Sequence, residues 1–124
     1  MKINLLVLRT SNPDNLASFY KLLGMSFVHH QHGSGPFHYS AEVDGTVFEI
    51  YPLSKGMDKA DDSLRLGFIV GNLDELIERL RNFEARILNE PKMTEWGYVA
   101  IVEDADGRRV ELKDGRSGLK SSDN

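Results

Sequence analysis

The stretch Ser11–Gly24, SNPDNLASFYKLLG, holds a start, a body and a stop for one helix. Ser11 or Asn12 can cap it, Pro13 suits the first helical position, and Asp14 favours the positive end of the helix dipole. Leu16, Phe19, Tyr20 and Leu23 recur at helical spacing, and Gly24 is the natural C-terminal stop. Upstream, Met1–Thr10 reads as a strand without a breaker. Downstream come a short strand, Met25–Gln31, and a turn-rich loop, His32–Pro36. A strand Phe37–Val43, an Asp44-Gly45 hairpin turn and a returning strand Thr46–Tyr51 follow, and Pro52 ends the run.

The order then begins again. Leu53–Asp62, LSKGMDKADD, has no apolar period and reads as a linker. Ser63–Val70 is a strand, and Gly71–Asp74 opens a helix carrying Leu73, Leu76, Ile77 and Leu80. Ala85–Leu88 reads as a short strand and Asn89–Trp96 as a loop. Tyr98–Glu103 and Arg108–Lys113 form a hairpin around Asp104–Gly107. NPDNL at Asn12 matches NLDEL at Asn72, and DGTVFEI at Asp44 matches DGRRVEL at Asp106. Two matches in one order and at nearly one offset mark an internal repeat.

The expected fold class is α+β: two tandem βαβββ units packed about a pseudo-twofold axis, with curved mixed sheets forming a cup. The expected domain is 1–114, with half-units 1–52 and 63–114 joined by the linker 53–62, and 115–124 as a mobile tail. Each half is too small to hold a full core comfortably alone.

Composition narrows the function. A net charge of -4 over 124 residues argues against a nucleic-acid partner, which needs a basic face. The absence of cysteine excludes disulfides, thiolate metal sites and a thiol nucleophile. The first apolar run is too short for a secretory leader or a membrane span, so no membrane partner is expected and the expected location is cytoplasmic.

Strand alternation separates two faces. Leu6, Leu8 and Thr10, Phe48 and Ile50, Leu64 to Val70 in alternation, and Val110 and Leu112 should pack under the helices. The opposite face is mixed, with Glu49, Arg65 and Glu111 among Leu5, Val7, Tyr51 and Ile69. Such a face is either a solvated sheet surface or a ligand-holding wall.

In these segments the chain resembles the vicinal oxygen chelate superfamily of glyoxalases, bleomycin-resistance proteins and extradiol dioxygenases. VLRTSNPDNLASFYKLLGMSF, EVDGTVFEIYP, GFIVGNLDELIERL and EWGYVAIVEDADGRRVEL carry the resemblance, over roughly residues 3 to 113. The resemblance implies a divalent metal held on strands one, four, five and eight. The corresponding residues here are Leu5, Glu49, Arg65 and Glu111. Leu5 has no ligand atom, and Arg65 is a permanent cation with donors only. The usual site is therefore broken, and no metal or other cofactor is expected. Arg65 forked between Glu49 and Glu111 would form a structural charge cluster, or it would contact a polar ligand.

Other candidates stand beside these. His38 is either a base near the ligand or a partly exposed edge histidine. His29 and His30 point to opposite faces, whereas His30 and His32 could share a metal, and the glycine-rich loop argues against it. Trp96 is placed to wall a ligand at a pocket mouth or to pack as a loop residue. Tyr51 should face the cup, and Phe37 the helices. Three functions remain open: a metal-free protein binding a small-molecule ligand through Arg65, Glu49, Glu111, Trp96, Tyr51 and His38; a metal-dependent lyase or dioxygenase using Glu49 and Glu111; and a structural protein with a filled cup. No catalytic residue is assigned. A homodimer is expected from the exposed sheet edges.

Overall fold

Asn12 and Asn72 perform the same task at the starts of two helices. Asn12 Oδ1 accepts the backbone N–H of Asn15 at 3.1 Å, and Asn72 Oδ1 accepts that of Glu75 at 3.2 Å. Each satisfies a donor that the first helical turn leaves open. The helices they start are α1 (Pro13–Leu22) and α2 (Leu73–Asn82). Both end at a residue with positive φ: Gly24 at 118° and Glu84 at 65°. The first is unstrained; the second places a non-glycine residue in the left-handed region. Two tyrosines repeat the correspondence, because Tyr39 Oη–H donates to Asp14 and Tyr98 Oη–H donates to Asp74.

The computed structural model describes residues 1–116. The strands are β1 (Leu5–Thr10), β2 (Val28–His30), β3 (His38–Val43), β4 (Thr46–Pro52), β5 (Leu66–Val70), β6 (Ile87–Thr94), β7 (Gly97–Glu103) and β8 (Arg109–Asp114). The chain divides into two compact units, Met1–Asp61 and the part from Asp62 onward. Unit 1 runs β1-α1-β2-β3-β4 and unit 2 runs β5-α2-β6-β7-β8, so each is a βαβββ unit. Their sheets have the same strand order, β1-β4-β3-β2 and β5-β8-β7-β6. In both, the first pair is parallel and the rest antiparallel, so both sheets are mixed. The tail expected at 115–124 lies outside the described residues beyond Arg116.

Each unit buries one sheet face against its helix. In unit 1 Leu8, Phe48 and Ile50 meet Leu16, Phe19 and Tyr20. The Tyr20 ring lies 4.9 Å from that of Phe48. In unit 2 Val70, Val102, Val110 and Leu112 are buried with Leu73, Leu76, Ile77 and Leu80. The alternation read from the sequence thus gives the helix side of both sheets, with Leu66 and Phe68 only half-buried.

Three local expectations are corrected. Asn89–Thr94, expected as a loop, is part of β6. Its polar residues and Pro91 conceal the strand, but β7 supplies the pairing, and two register shifts fit the proline, which lacks an N–H. Phe37, expected under the helices, precedes β3 and is 57% exposed, with its ring 5.3 Å from that of His29. His38 is no exposed edge residue: β3 lies between β4 and β2, and the side chain is 1% exposed.

The hairpin between β7 and β8 holds a buried charge cluster. Arg108 Nη1 donates to Asp104 Oδ2 at 3.1 Å and to Asp106 Oδ2 at 2.9 Å. Asp104 Oδ1 also accepts the backbone N–H groups of Asp106 and Arg108. Burial works against the charge on Arg108, but the two carboxylates outweigh it and raise its pKa.

Asp114, at the end of β8, joins the sheet to α2. Its Oδ2 accepts the Leu73 N–H at 3.1 Å, and both oxygens accept from Arg116. The Arg116 hydrogen bonds, and after them the Leu73 N–H, hold this carboxyl well below the usual carboxylate range, against the effect of burial. The unfolded chain therefore binds the proton more readily than the folded one. The resulting stabilisation is complete above the unfolded value, about pH 4, and is lost as pH falls through the lower folded value. Asp114→Asn is expected to unfold at lower urea than the parent at pH 7, with the gap narrowing below about pH 4. A constant gap in urea midpoint down to acid pH would show that the charge contributes nothing.

No helix among the described residues is long and apolar enough to cross a membrane.

Candidate functional site

The face of unit 1 turned away from α1 brings three of the predicted residues, Glu49, Tyr51 and His38, into one patch. Parallel and antiparallel registers place Val7 beside Glu49 and Glu49 beside Ser40, with Arg9 beside Tyr51 in the next row. His38 continues that second row and pairs with His30 on β2. The His38 ring stacks on Tyr51 at 4.2 Å and 7°, and the Arg9 guanidinium lies 5.0 Å from the Tyr51 ring centre. Tyr51 therefore lies on the sheet face away from α1, stacked on His38.

His38 has one settled ring nitrogen and one open one. Nδ1–H donates to the Pro36 carbonyl at 3.3 Å. A carbonyl can only accept, so this bond leaves the Nε2 lone pair free on a neutral ring. Nε2 is buried and has no hydrogen-bond partner among the described residues. It points towards Glu49 Oε2 at 3.6 Å, beyond hydrogen-bond reach.

The loop after β2 brings a third imidazole. Gly35 N–H donates to His32 O at 3.0 Å, and the turn folds His32 back over the hairpin. One imidazole nitrogen from each of His30, His32 and His38 then lies within 4.8 Å of the others. Nε2 of His30 and Nε2 of His32 are 3.1 Å apart. Partial desolvation and the neighbouring rings of His38 and His32 hold His30 below the ordinary histidine value, opposed by Glu49. His29 stands apart, stacked on Tyr39 at 4.4 Å.

Unit 2 has a groove of about 560 Å³ on the corresponding face. Asn89 and Lys92 of β6, Val99 and Ile101 of β7, and Glu111 and Lys113 of β8 line it, with Trp96 in the β6–β7 turn. Trp96 is 72% exposed. Thr94 Oγ1 holds the turn by accepting the Trp96 N–H at 3.1 Å and donating to Gly97 O at 2.8 Å. Gly67 is the register partner of Glu111, and a Cβ there would come 3.9 Å from Glu111 Oε2.

Of the predicted site residues, Glu49, Tyr51 and His38 meet in unit 1, and Glu111 and Trp96 meet in unit 2. Arg65 precedes β5 and is exposed, and no ion pair joins it to Glu111 among the described residues of unit 2. The metal site implied by the family resemblance does not fit: Glu49 has Val7 as its β1 neighbour with Leu5 two residues earlier, and Arg65 offers only donors. Sequence reasoning missed Asn89 and Lys92 as groove walls because β6 was read as a loop; Val99 and Ile101 lie on β7, which was read as a strand but not assigned to the site.

A family profile described as the Glyoxalase/Bleomycin resistance protein/Dioxygenase superfamily matches residues 2–112. Solved structures with this fold include TnmS3, an antibiotic binding protein from Streptomyces sp. CB03234. It has a TM-score of 0.70 and 22% identity, covering 92% of this chain and 95% of that one. The hypothetical protein SA1046 from S. aureus has a TM-score of 0.70 and 15% identity, covering 92% and 96%. Lactoylglutathione lyase from Agrobacterium tumefaciens has a TM-score of 0.64 and 15% identity, covering 93% and 94%. At these identities the likeness is one of fold. A search of the curated proteins gave no match.

Proposed function

This chain belongs to the glyoxalase/bleomycin resistance protein/dioxygenase superfamily, and on that footing we propose that it binds a small, partly aromatic molecule in the unit 2 groove. The observation that carries this reading is the groove itself. Its volume of about 560 Å³ is in the range of small-molecule sites, roughly 300–1,000 Å³. Val99 and Ile101 supply an apolar floor, Glu111 and Lys113 supply one charge of each sign, and Trp96 offers a ring at the mouth for stacking. The antibiotic-binding activity named for TnmS3 supports the same reading. Two of the four metal slots that the family resemblance implies correspond to Leu5 and Arg65, which favours holding a ligand over metal-dependent turnover.

Trp96 is the single tryptophan, so its fluorescence reports on the groove. Titration with bleomycin, and with a panel of aromatic antibiotics, is expected to give saturable quenching with at least one compound. Calorimetry with that compound should show at least about a tenfold weaker affinity for Trp96→Ala, the loss of a stacking anchor. Unchanged affinity in the variant, or no saturable binding across the panel, would remove the proposal.

We also infer a homodimer. Leu5 and Val7 on the edge strand β1 and Ile69 on the edge strand β5 are 52%, 38% and 73% exposed, which supports pairing with a second chain. Sedimentation at tens of micromolar, on the order of a weak dimer constant, should show twice the chain mass. A monomer throughout that range would contradict it.

A further inference from the structure

We propose that the β2–β3 hairpin of unit 1 is a metal site, in which His30, His32 and His38, with the Glu49 carboxylate, bind a divalent zinc-type ion. It is separate from the unit 2 groove. It also differs from the site that the family resemblance implies, because three of its four donors come from β2, β3 and the loop between them.

The donor set is the first argument. Three imidazoles and one carboxylate are a combination that zinc takes in a four-coordinate site, and nitrogen donors favour zinc and its first-row neighbours over magnesium or calcium. Spacing is the second. Zinc–nitrogen bonds of about 2.0–2.1 Å put ligand atoms of a tetrahedron roughly 3.3 Å apart. The His30 and His32 Nε2 atoms are 3.1 Å apart, and His38 Nε2 is 3.6 Å from Glu49 Oε2. The three imidazole nitrogens lie within 4.8 Å of one another, and His32 is exposed on its loop.

The third argument is the state of His38. Its side chain is 1% exposed, Tyr51 stacks against it, and its Nδ1–H is bound to a backbone carbonyl. That is how a protein orients a metal-binding histidine and sets its tautomer. Its Nε2 faces Glu49 Oε2 at 3.6 Å and has no hydrogen-bond partner among the described residues. A cation bound between the two atoms would satisfy both. Glu49 occupies the β4 position of the broken family site; here its own sheet supplies partners for it.

The test uses the full chain, made without an affinity tag and stripped with a chelator. Titration with Zn²⁺ against a chromophoric competitor is expected to show one tight equivalent per chain. His32→Ala alters an exposed loop residue and keeps the fold, which circular dichroism checks; it should weaken binding by at least about tenfold, the minimum for loss even of a supporting contact at a metal. Glu49→Gln should also weaken it. His29→Ala, outside the cluster, should leave affinity unchanged. Cobalt substitution should give the intense visible bands of a four-coordinate site. No tight equivalent, or an equal loss in His29→Ala and His32→Ala, would overturn the proposal and leave an imidazolium–carboxylate pair between His38 and Glu49.

Discussion

Replacing Arg108 by methionine is expected to lower the unfolding free energy by about 3–5 kcal/mol, the usual cost of removing one member of a buried ion pair. Arg108 is 1% exposed and Asp104 5%, so water cannot take over from the guanidinium. Asp104 would keep the backbone N–H groups of Asp106 and Arg108 but lose the Arg108 guanidinium. Against a typical total of about 5–15 kcal/mol this is a large fraction. Arg108→Lys keeps the charge but not the planar fork that reaches Asp104 and Asp106 together, and should fall between parent and methionine. Urea titration at pH 7 measures all three. A loss under about 1 kcal/mol for the methionine variant would mean that the hairpin opens and solvates Asp104.

Phe19→Ala is expected to cost a similar amount, about 3–5 kcal/mol, by another mechanism. Phe19 is 1% exposed on α1, and its ring meets the edge of Tyr20 at 5.0 Å. Truncation leaves a cavity in the buried face of α1. Phe19→Leu keeps most of the volume and should cost less than about 1.5 kcal/mol. Phe37→Ala is the contrast: its side chain is 57% exposed, and the change should fall within about 0.5 kcal/mol. Urea midpoints of the three variants test the series. A large effect at Phe37 would show that the ring is covered in solution, for example by a second chain.

The two phenylalanines also show where a linear reading works. Phe19 lies in a helix whose cap, period and stop are all within fourteen residues, so its buried face follows from local spacing. Phe37 has the parity of a core strand residue, but it precedes the first paired residue of β3, and parity has no meaning outside the ladder. Glu111 was a site candidate through the family resemblance and the repeated DG segment, and Trp96 through its place before the seventh strand. The groove residues of β6, Asn89 and Lys92, were not, because β6 is a strand only by virtue of β7. Asn89, Glu90, Pro91 and Lys92 have no strand propensity of their own.

The sequence by itself determined the two βαβββ units, the starts of both helices and the helix side of each sheet. These depend on neighbours three or four residues away, or on the chemistry of one side chain. Tertiary structure alone decided that Arg108 is buried between two carboxylates, that His38 lies buried under Tyr51, and that His30 and His32 turn towards it. Those outcomes depend on cross-strand register and on a loop closing back over its own sheet, and hydrogen bonds between distant residues set both.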